Sequence, residues 1–121
     1  MRNDRENLIV DLTMEFALKI IGYTELLEDN KKFVIARQLL RSGTSIGANV
    51  REAQNAESKA DFIHKMKLAA KEADETLYWI TLCDMAVNYP SSDTLKAHLQ
   101  QIIIILSKII STSKSTLPKN P

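Results

Sequence analysis

Histidine and cysteine are the first residues to examine, because their side chains are common metal ligands. Asp61 and His64 are spaced three residues apart, as in the Glu-x-x-His motif of di-iron carboxylate bundles, but such a site needs that motif twice and two more glutamates. The other histidine, His98, has no carboxylate three residues before it, and Cys83 is the single cysteine. Zinc sites combine several Cys or His ligands. We therefore expect no metal site and no cofactor.

Catalytic motifs are also missing from the sequence. There is no Gly-x-Ser-x-Gly nucleophile elbow, no phosphate-binding Walker loop and no glycine pattern for dinucleotide binding. Cys83 lies late in an apolar segment, where an inert buried thiol is the usual outcome. We expect a protein that is not an enzyme and has no catalytic residues.

Basic residues are concentrated in the middle of the chain, although the formal net charge is only +1. Residues 31–56 carry five basic side chains against one acidic side chain. If this segment packs beside the next one, a basic stripe forms whose phosphate contacts add up in a symmetric oligomer. The alternative is a solvated surface with local ion pairs. The candidate nucleic-acid-binding residues are Arg37, Arg51, Lys59, Lys67 and Lys71.

A second polar row in the same segment consists mostly of short, uncharged residues. A solvated helix face usually carries more Lys and Glu, so this row indicates a half-buried seam between two helices. Arg41 is then expected to pair with Glu72 or Glu75 across the helix contact, which gives it a structural role. The predicted polar seam consists of Gln38, Arg41, Ser42, Ser45, Asn49, Glu52, Glu72 and Glu75.

Long helices must position these residues. The chain has three glycines and three prolines, and no proline precedes Pro90, which excludes turn-rich β folds. Apolar residues at spacings of three and four predict helices over about 7–27, 32–56, 58–85 and 92–111, the third with a capping box that starts at Ser58. The sequence therefore predicts an all-α, antiparallel, up-down-up-down four-helix bundle. Its single domain is residues 1–111, and residues 112–121 are a flexible C-terminal tail.

The fourth segment carries more apolar residues than one buried stripe needs. Each helical residue is rotated by about 100° from the last, so five consecutive apolar residues must include some that face outward. Such an apolar surface is typical of a subunit interface, although a small bundle also tolerates a few exposed aliphatic residues. We predict a homo-oligomer whose interface includes Ile102, Ile103, Ile104, Ile105 and Leu106.

The compartment follows from three features of the sequence. The first residues are charged and lack the apolar core of a signal peptide. The longest apolar run is far shorter than the roughly 20 residues of a membrane span. A single cysteine also fits a reducing environment. We expect a cytoplasmic protein with no membrane association.

Two blocks in the middle of the chain resemble a known family. The first is residues 38–53, QLLRSGTSIGANVREA, and the second is residues 58–65 with 71–80. Both resemble the signature of the bacterial four-helix-bundle family encoded in 23S ribosomal RNA intervening sequences. The resemblance implies an antiparallel bundle that assembles as a homopentamer, with no assigned catalytic residues. It also implies kinship with the accessory variability protein of diversity-generating retroelements, a pentameric bundle that works with a reverse transcriptase and nucleic acid.

Together these features predict a non-enzymatic homo-oligomer, pentameric by the resemblance, that acts as an accessory or scaffold protein associated with RNA or DNA. Its expected partners are copies of itself, RNA or DNA, and a reverse transcriptase or another protein. The alternative is a protein–protein interaction module with no nucleic-acid role.

Overall fold

A computed structural model describes residues 4–117, with side chains from Asn7 onward. Over these residues the chain forms four α-helices and no β-strand, as the sequence predicts. Residues 1–3 of the predicted domain and residues 118–121 of the predicted tail lie outside the described part. The helices are α1 (Asp4–Asp29), α2 (Phe33–Ala53), α3 (Lys59–Met85) and α4 (Asp93–Ser115).

Each helix packs against two others, so that the four helices surround one apolar core. Helix α2 packs against α1 and α3, and α4 packs against α3 and α1. Among the described residues, no Cα atom of α1 lies within 8 Å of one in α3, and the same holds for α2 and α4. All four helices contribute wholly buried side chains, and each burial contributes about 1.5–3 kcal/mol. Examples are Phe16, Ile46, Met66 and Leu106.

Small residues on α2 allow α1 to approach closely. A Cβ atom added at Gly43 would lie 2.8 Å from Cγ1 of Ile20, and one added at Gly47 would lie 3.3 Å from the carbonyl oxygen of Thr13. The apolar residues of α2 that follow the helical period are also buried from Ala36 to Ala53. The two glycines therefore serve close helix packing and do not end the helix.

The turn after α1 is a Schellman motif at the position that the sequence predicts. Its two hydrogen bonds run from Lys31 N–H to the Glu28 carbonyl oxygen and from Lys32 N–H to the Leu27 carbonyl oxygen, both at 2.8 Å. Lys31 has a φ of 62°, in the left-handed region where glycine is usual. Helix α2 begins directly after this turn.

The start of α3 confirms the predicted cap. The Ser58 hydroxyl accepts a hydrogen bond from Asp61 N–H at 3.0 Å. The Asp61 carboxylate accepts from Glu57 N–H at 3.2 Å, one residue before the position that a standard capping box uses. At the start of α4, the Ser92 hydroxyl donates to the Asp84 carboxylate and makes no helix cap.

Helix α4 continues to Ser115, four residues beyond the predicted end at Ser111. The predicted start of the tail at residue 112 therefore lies inside the helix. The reason is that Ile109 and Ser113, four residues apart, are both buried and extend the inward face by one more turn. Helix α2, in contrast, ends at Ala53, before its predicted end at residue 56.

The apolar run of α4 is divided between the core and the surface, which corrects the predicted interface. Ile102 and Leu106 are completely buried within the chain, so they face no second copy. Ile103 and Ile105 are partly buried against the core, and Ile104 is 55% exposed. The run has no polar residue to mark its phase, which is why the sequence did not separate these positions.

Helix α1 exposes more apolar surface than α4 does. Met14, Leu18 and Ile21 are 52%, 65% and 42% exposed. Their spacing of four and three residues places them on one face of the helix. We call these three residues the α1 apolar strip.

Candidate nucleic-acid interface

The five candidate nucleic-acid-binding residues are all exposed, but the structure does not bring them into one stripe. Arg51 lines a groove between α1 and α2, and Lys71 lies near Glu75, whose carboxylate binds an arginine of α2. Lys59 and Lys67 instead lie toward the end of α4. Arg37 is exposed on α2. The predicted stripe is therefore not formed, because Arg51 lies toward α1 and the three lysines are divided between the two sides of α3.

Three lysines converge where α3 begins and α4 ends. The Lys59 ammonium group donates a hydrogen bond to the Thr116 hydroxyl, directly after α4. Lys114 lies close enough to Lys67 for charge repulsion to lower the pKa of Lys67. None of the three lysines forms an ion pair with a carboxylate of the described residues. We call Lys59, Lys67 and Lys114 the lysine cluster.

Lys114 is the member of this cluster that the sequence analysis missed. It falls in the segment expected to be a flexible tail, whereas the structure places it in the last turn of α4. It follows Ile110 by four residues and Ser107 by seven, and all three line the same groove. Continuing the helical period of α4 past Ser111 would have placed Lys114 on this face.

A groove between α3 and α4 adjoins the lysine cluster. Its volume is about 420 Å³. Apolar side chains from both helices form its walls, and one carboxylate and two hydroxyl groups reach it. The lining residues are Ala70, Asp74, Ile103, Ser107, Ile110, Ser111 and Lys114.

The opposite side of α3 carries the ion pair that the sequence predicts. The Arg41 guanidinium donates to the Glu72 carboxylate at 3.3 Å and to the Glu75 carboxylate. The Glu75 carboxylate also accepts from Trp79 Nε1–H at 3.0 Å. The Arg41 bond is the main cause that lowers the pKa of Glu75, followed by the Trp79 bond, with a smaller contribution from Lys71. The Arg41 side chain is 50% exposed, so this pair lies at the surface of the seam.

The other predicted members of the polar seam have different environments. Ser42 is completely buried, and its hydroxyl accepts from the Thr76 hydroxyl at 3.0 Å. Ser45 and Asn49 donate to carbonyl oxygens of their own helix. Gln38 and Glu52 are exposed and make no side-chain hydrogen bond or ion pair with another described residue, which removes them from the seam.

The histidines and the cysteine do not form a shared metal site in the described part of the chain. Among the described residues, no three His, Cys, Asp or Glu side chains come together as metal ligands would. His98 packs edge-on against Phe16, with ring centroids 5.4 Å apart, and its Nδ1 lies 3.3 Å from the Lys19 ammonium group. Burial, followed by the charge of Lys19, lowers the pKa of His98. Burial also raises the pKa of the Cys83 thiol.

Within residues 4–117, no helix combines the length and the hydropathy that crossing a bilayer requires.

The four helices and their shared core define a four-helix-bundle protein. A family model described as 23S rRNA-intervening sequence protein matches residues 5–111. The chain belongs to this family, which confirms the resemblance found in its two central blocks. A crystal structure of a protein with unknown function from the S23 ribosomal protein family of Bacteroides thetaiotaomicron is 40% identical, with a TM-score of 0.84 over 88% of this chain and 98% of that one. No curated protein matches the chain.

Proposed function

We propose that this protein is a non-enzymatic, cytoplasmic homo-oligomer that acts as an accessory or scaffold protein bound to RNA or DNA. The observation that carries the proposal is the lysine cluster, in which Lys67 lies beside Lys114, Lys59 lies beside the end of α4, and none is neutralised by a carboxylate of the described residues. A phosphate backbone supplies the missing negative charge, and its binding releases condensed counterions. Contacts of this kind position a nucleic acid without reading its sequence.

The proposed assembly is a homopentamer of antiparallel, up-down-up-down bundles. The connections at residues 30–32, 54–58 and 86–92 are short, which favours alternating helix directions. The α1 apolar strip and Ile104 supply apolar surface for contacts between copies. The number five rests on the family resemblance. Five copies of the lysine cluster would turn weak phosphate contacts into useful avidity.

The test compares two double variants that remove the same amount of charge. Lys67→Gln with Lys114→Gln removes part of the lysine cluster, and Lys31→Gln with Lys108→Gln removes two exposed lysines elsewhere. In a gel-shift assay with structured RNA at low salt, we expect binding at micromolar protein that only the first variant weakens. An absence of binding by the native chain, or equal losses in both variants, would contradict the proposal. Light scattering that reports a single 13.7 kDa species would contradict the oligomer.

A second candidate function is a protein–protein interaction module. An exposed apolar surface at the start of α2 and the end of α3 favours it, because Val34, Met85 and Val87 are each at least 70% exposed. Capture of partners from a cell lysate before and after nuclease treatment separates the two functions. A partner such as a reverse transcriptase that stays bound after nuclease treatment would support this module. Partners released by nuclease would support the nucleic-acid role.

A further inference from the structure

The groove between α3 and α4 carries opposite charges about two helical turns apart. Lys114 lies beside Lys67, and Asp74 lines the groove further along α3. Lys67 and Asp74 are seven residues apart, which corresponds to about 10 Å along the helix axis. This separation is comparable with the length of a mononucleotide from its phosphate to the edge of its base.

Three polar side chains that line this groove have no partner within the described part of the chain. Asp74, Ser107 and Ser111 make no side-chain hydrogen bond and no ion pair with other described residues. Hydroxyl groups in the other helices usually donate to a carbonyl oxygen one turn earlier, as they do at Thr13, Thr44, Ser45 and Thr81. The groove therefore offers one acceptor and two hydroxyl groups to a ligand.

The groove beside these charges is lined by apolar side chains. Ala70 contributes from α3, and Ile103 and Ile110 contribute from α4. Such surfaces suit the flat face of a nucleobase, which needs contact area and makes its hydrogen bonds at its edge. The volume of about 420 Å³ lies within the usual range for small-molecule sites.

We propose that this groove binds an unpaired guanine nucleotide, with its phosphate between Lys67 and Lys114 and its base edge on the Asp74 carboxylate. Guanine presents two adjacent donors, N1–H and the N2 amino group, which match the two oxygens of a carboxylate. Adenine and cytosine place an acceptor nitrogen beside their amino group, and uracil flanks its one N–H with carbonyl oxygens. Recognition of RNA sequence commonly uses the edges of such unpaired bases. The inference rests on the proposed function, because it names the base that the bound nucleic acid would present.

Mononucleotides test the groove without a nucleic-acid backbone. Ligand-observed NMR titrations of the native chain would compare GMP, AMP and inorganic phosphate. We expect GMP to bind about tenfold more tightly than AMP, the discrimination that one bidentate base contact supplies. Asp74→Asn should remove this preference. Lys114→Gln should weaken the binding of both nucleotides, and the control Lys108→Gln should leave both affinities unchanged. Equal affinity for GMP and AMP, no GMP binding at millimolar concentration, or a preference that survives Asp74→Asn would overturn the inference.

Two short RNAs separate failure of the groove from failure of the proposed function. UUUUUU and UUUGUU carry the same number of phosphates and differ in one base. Tighter binding of UUUGUU supports the guanine site, and equal binding of both overturns it while the general nucleic-acid role stands. If GMP binds but neither these RNAs nor the structured RNA of the gel-shift assay binds at low salt, the guanine site is retained and the accessory role on RNA is contradicted.

Discussion

Over residues 67–75, the two sides of α3 have opposite arrangements of charge. Toward α2, the cation Arg41 meets the carboxylates of Glu72 and Glu75. Toward α4, Lys67 meets another cation, Lys114, and no carboxylate of the described residues pairs with either. On the first side the cation is paired within the chain, and the second side contains an open groove. A charge paired within the chain helps to hold helices together, whereas an unpaired charge is available to a ligand of opposite sign.

Helix α4 also brings two basic groups together where it packs against α1. His98 lies beside the Lys19 ammonium group, and its pKa is lowered, as repulsion lowers the pKa of Lys67 beside Lys114. Both contacts of α4 thus bring basic groups together at one point. Elsewhere on the contact with α3, Lys96 forms an ion pair with Asp84 at 3.3 Å. The contact of α2 with α3 brings opposite charges together. The contrast therefore concerns Arg41 on one side of α3 and the Lys67–Lys114 pair on the other, and not the whole contact between α3 and α4.

The largest expected effect tests whether α4 is firmly packed beneath its open groove. Leu106→Ala removes a completely buried side chain, and we expect the free energy of unfolding to fall by about 2–5 kcal/mol. Urea denaturation measures this change. Ile104→Ala is the matched control, because this side chain is 55% exposed, and it should cost less than about 1 kcal/mol. Equal losses would contradict the assignment of the apolar run.

The next effect tests the close packing on the α2 side. A methyl group at Gly43 would press on the buried Ile20 side chain, so Gly43→Ala should destabilise the chain by about 1–3 kcal/mol. Gly22 has no atom within 4 Å of the corresponding position. Gly22→Ala should therefore raise the free energy of unfolding by up to about 1 kcal/mol. Thermal denaturation should show that the Tm of the two variants shifts in opposite directions. A stabilising effect of Gly43→Ala would contradict the close packing of α1 on α2.

A smaller effect concerns pH and His98. Because the pKa of His98 is below its ordinary value of 6.5 in the folded chain, the unfolded chain binds a proton first as the pH falls. The contribution of His98 to stability is thus complete above pH 6.5 and decreases as the pH falls below that value toward the folded pKa. Urea denaturation at several pH values checks this. His98→Gln should remove this part of the decline, whereas a substitution of the exposed His64, His64→Gln, should preserve it.

The smallest effect compares the charges on the two sides of α3 directly. Arg41→Gln removes a largely exposed ion pair and should lower the free energy of unfolding by about 0.2–1 kcal/mol. Lys114→Gln removes a repulsion and should not lower it. Chemical denaturation at low salt resolves the two signs, because salt screens both interactions. A clear loss of stability in Lys114→Gln would give that lysine a structural role.

The sequence predicts the closed side of α3 better than the open side. Arg41 could be placed against Glu72 and Glu75 because the regular apolar row of α2 fixes which face meets the next helix. The lysine cluster depends on where α4 ends, and a run rich in Ser, Thr and Lys gives no sharp end signal. The burial of Thr76 depends on a hydroxyl partner from Ser42. A pattern of apolar residues carries no information about such a partner.

The most direct test of the central claim is the salt dependence of RNA binding. Each lysine that contacts a phosphate adds about one to the slope of log K against log salt concentration. Fluorescence anisotropy with a structured RNA should therefore show a slope lower by about two for Lys67→Gln with Lys114→Gln than for the native chain. The variant Lys31→Gln with Lys108→Gln has the same net charge and should keep the native slope. If the two double variants have the same slope, Lys67 and Lys114 do not contact phosphates and the account is contradicted.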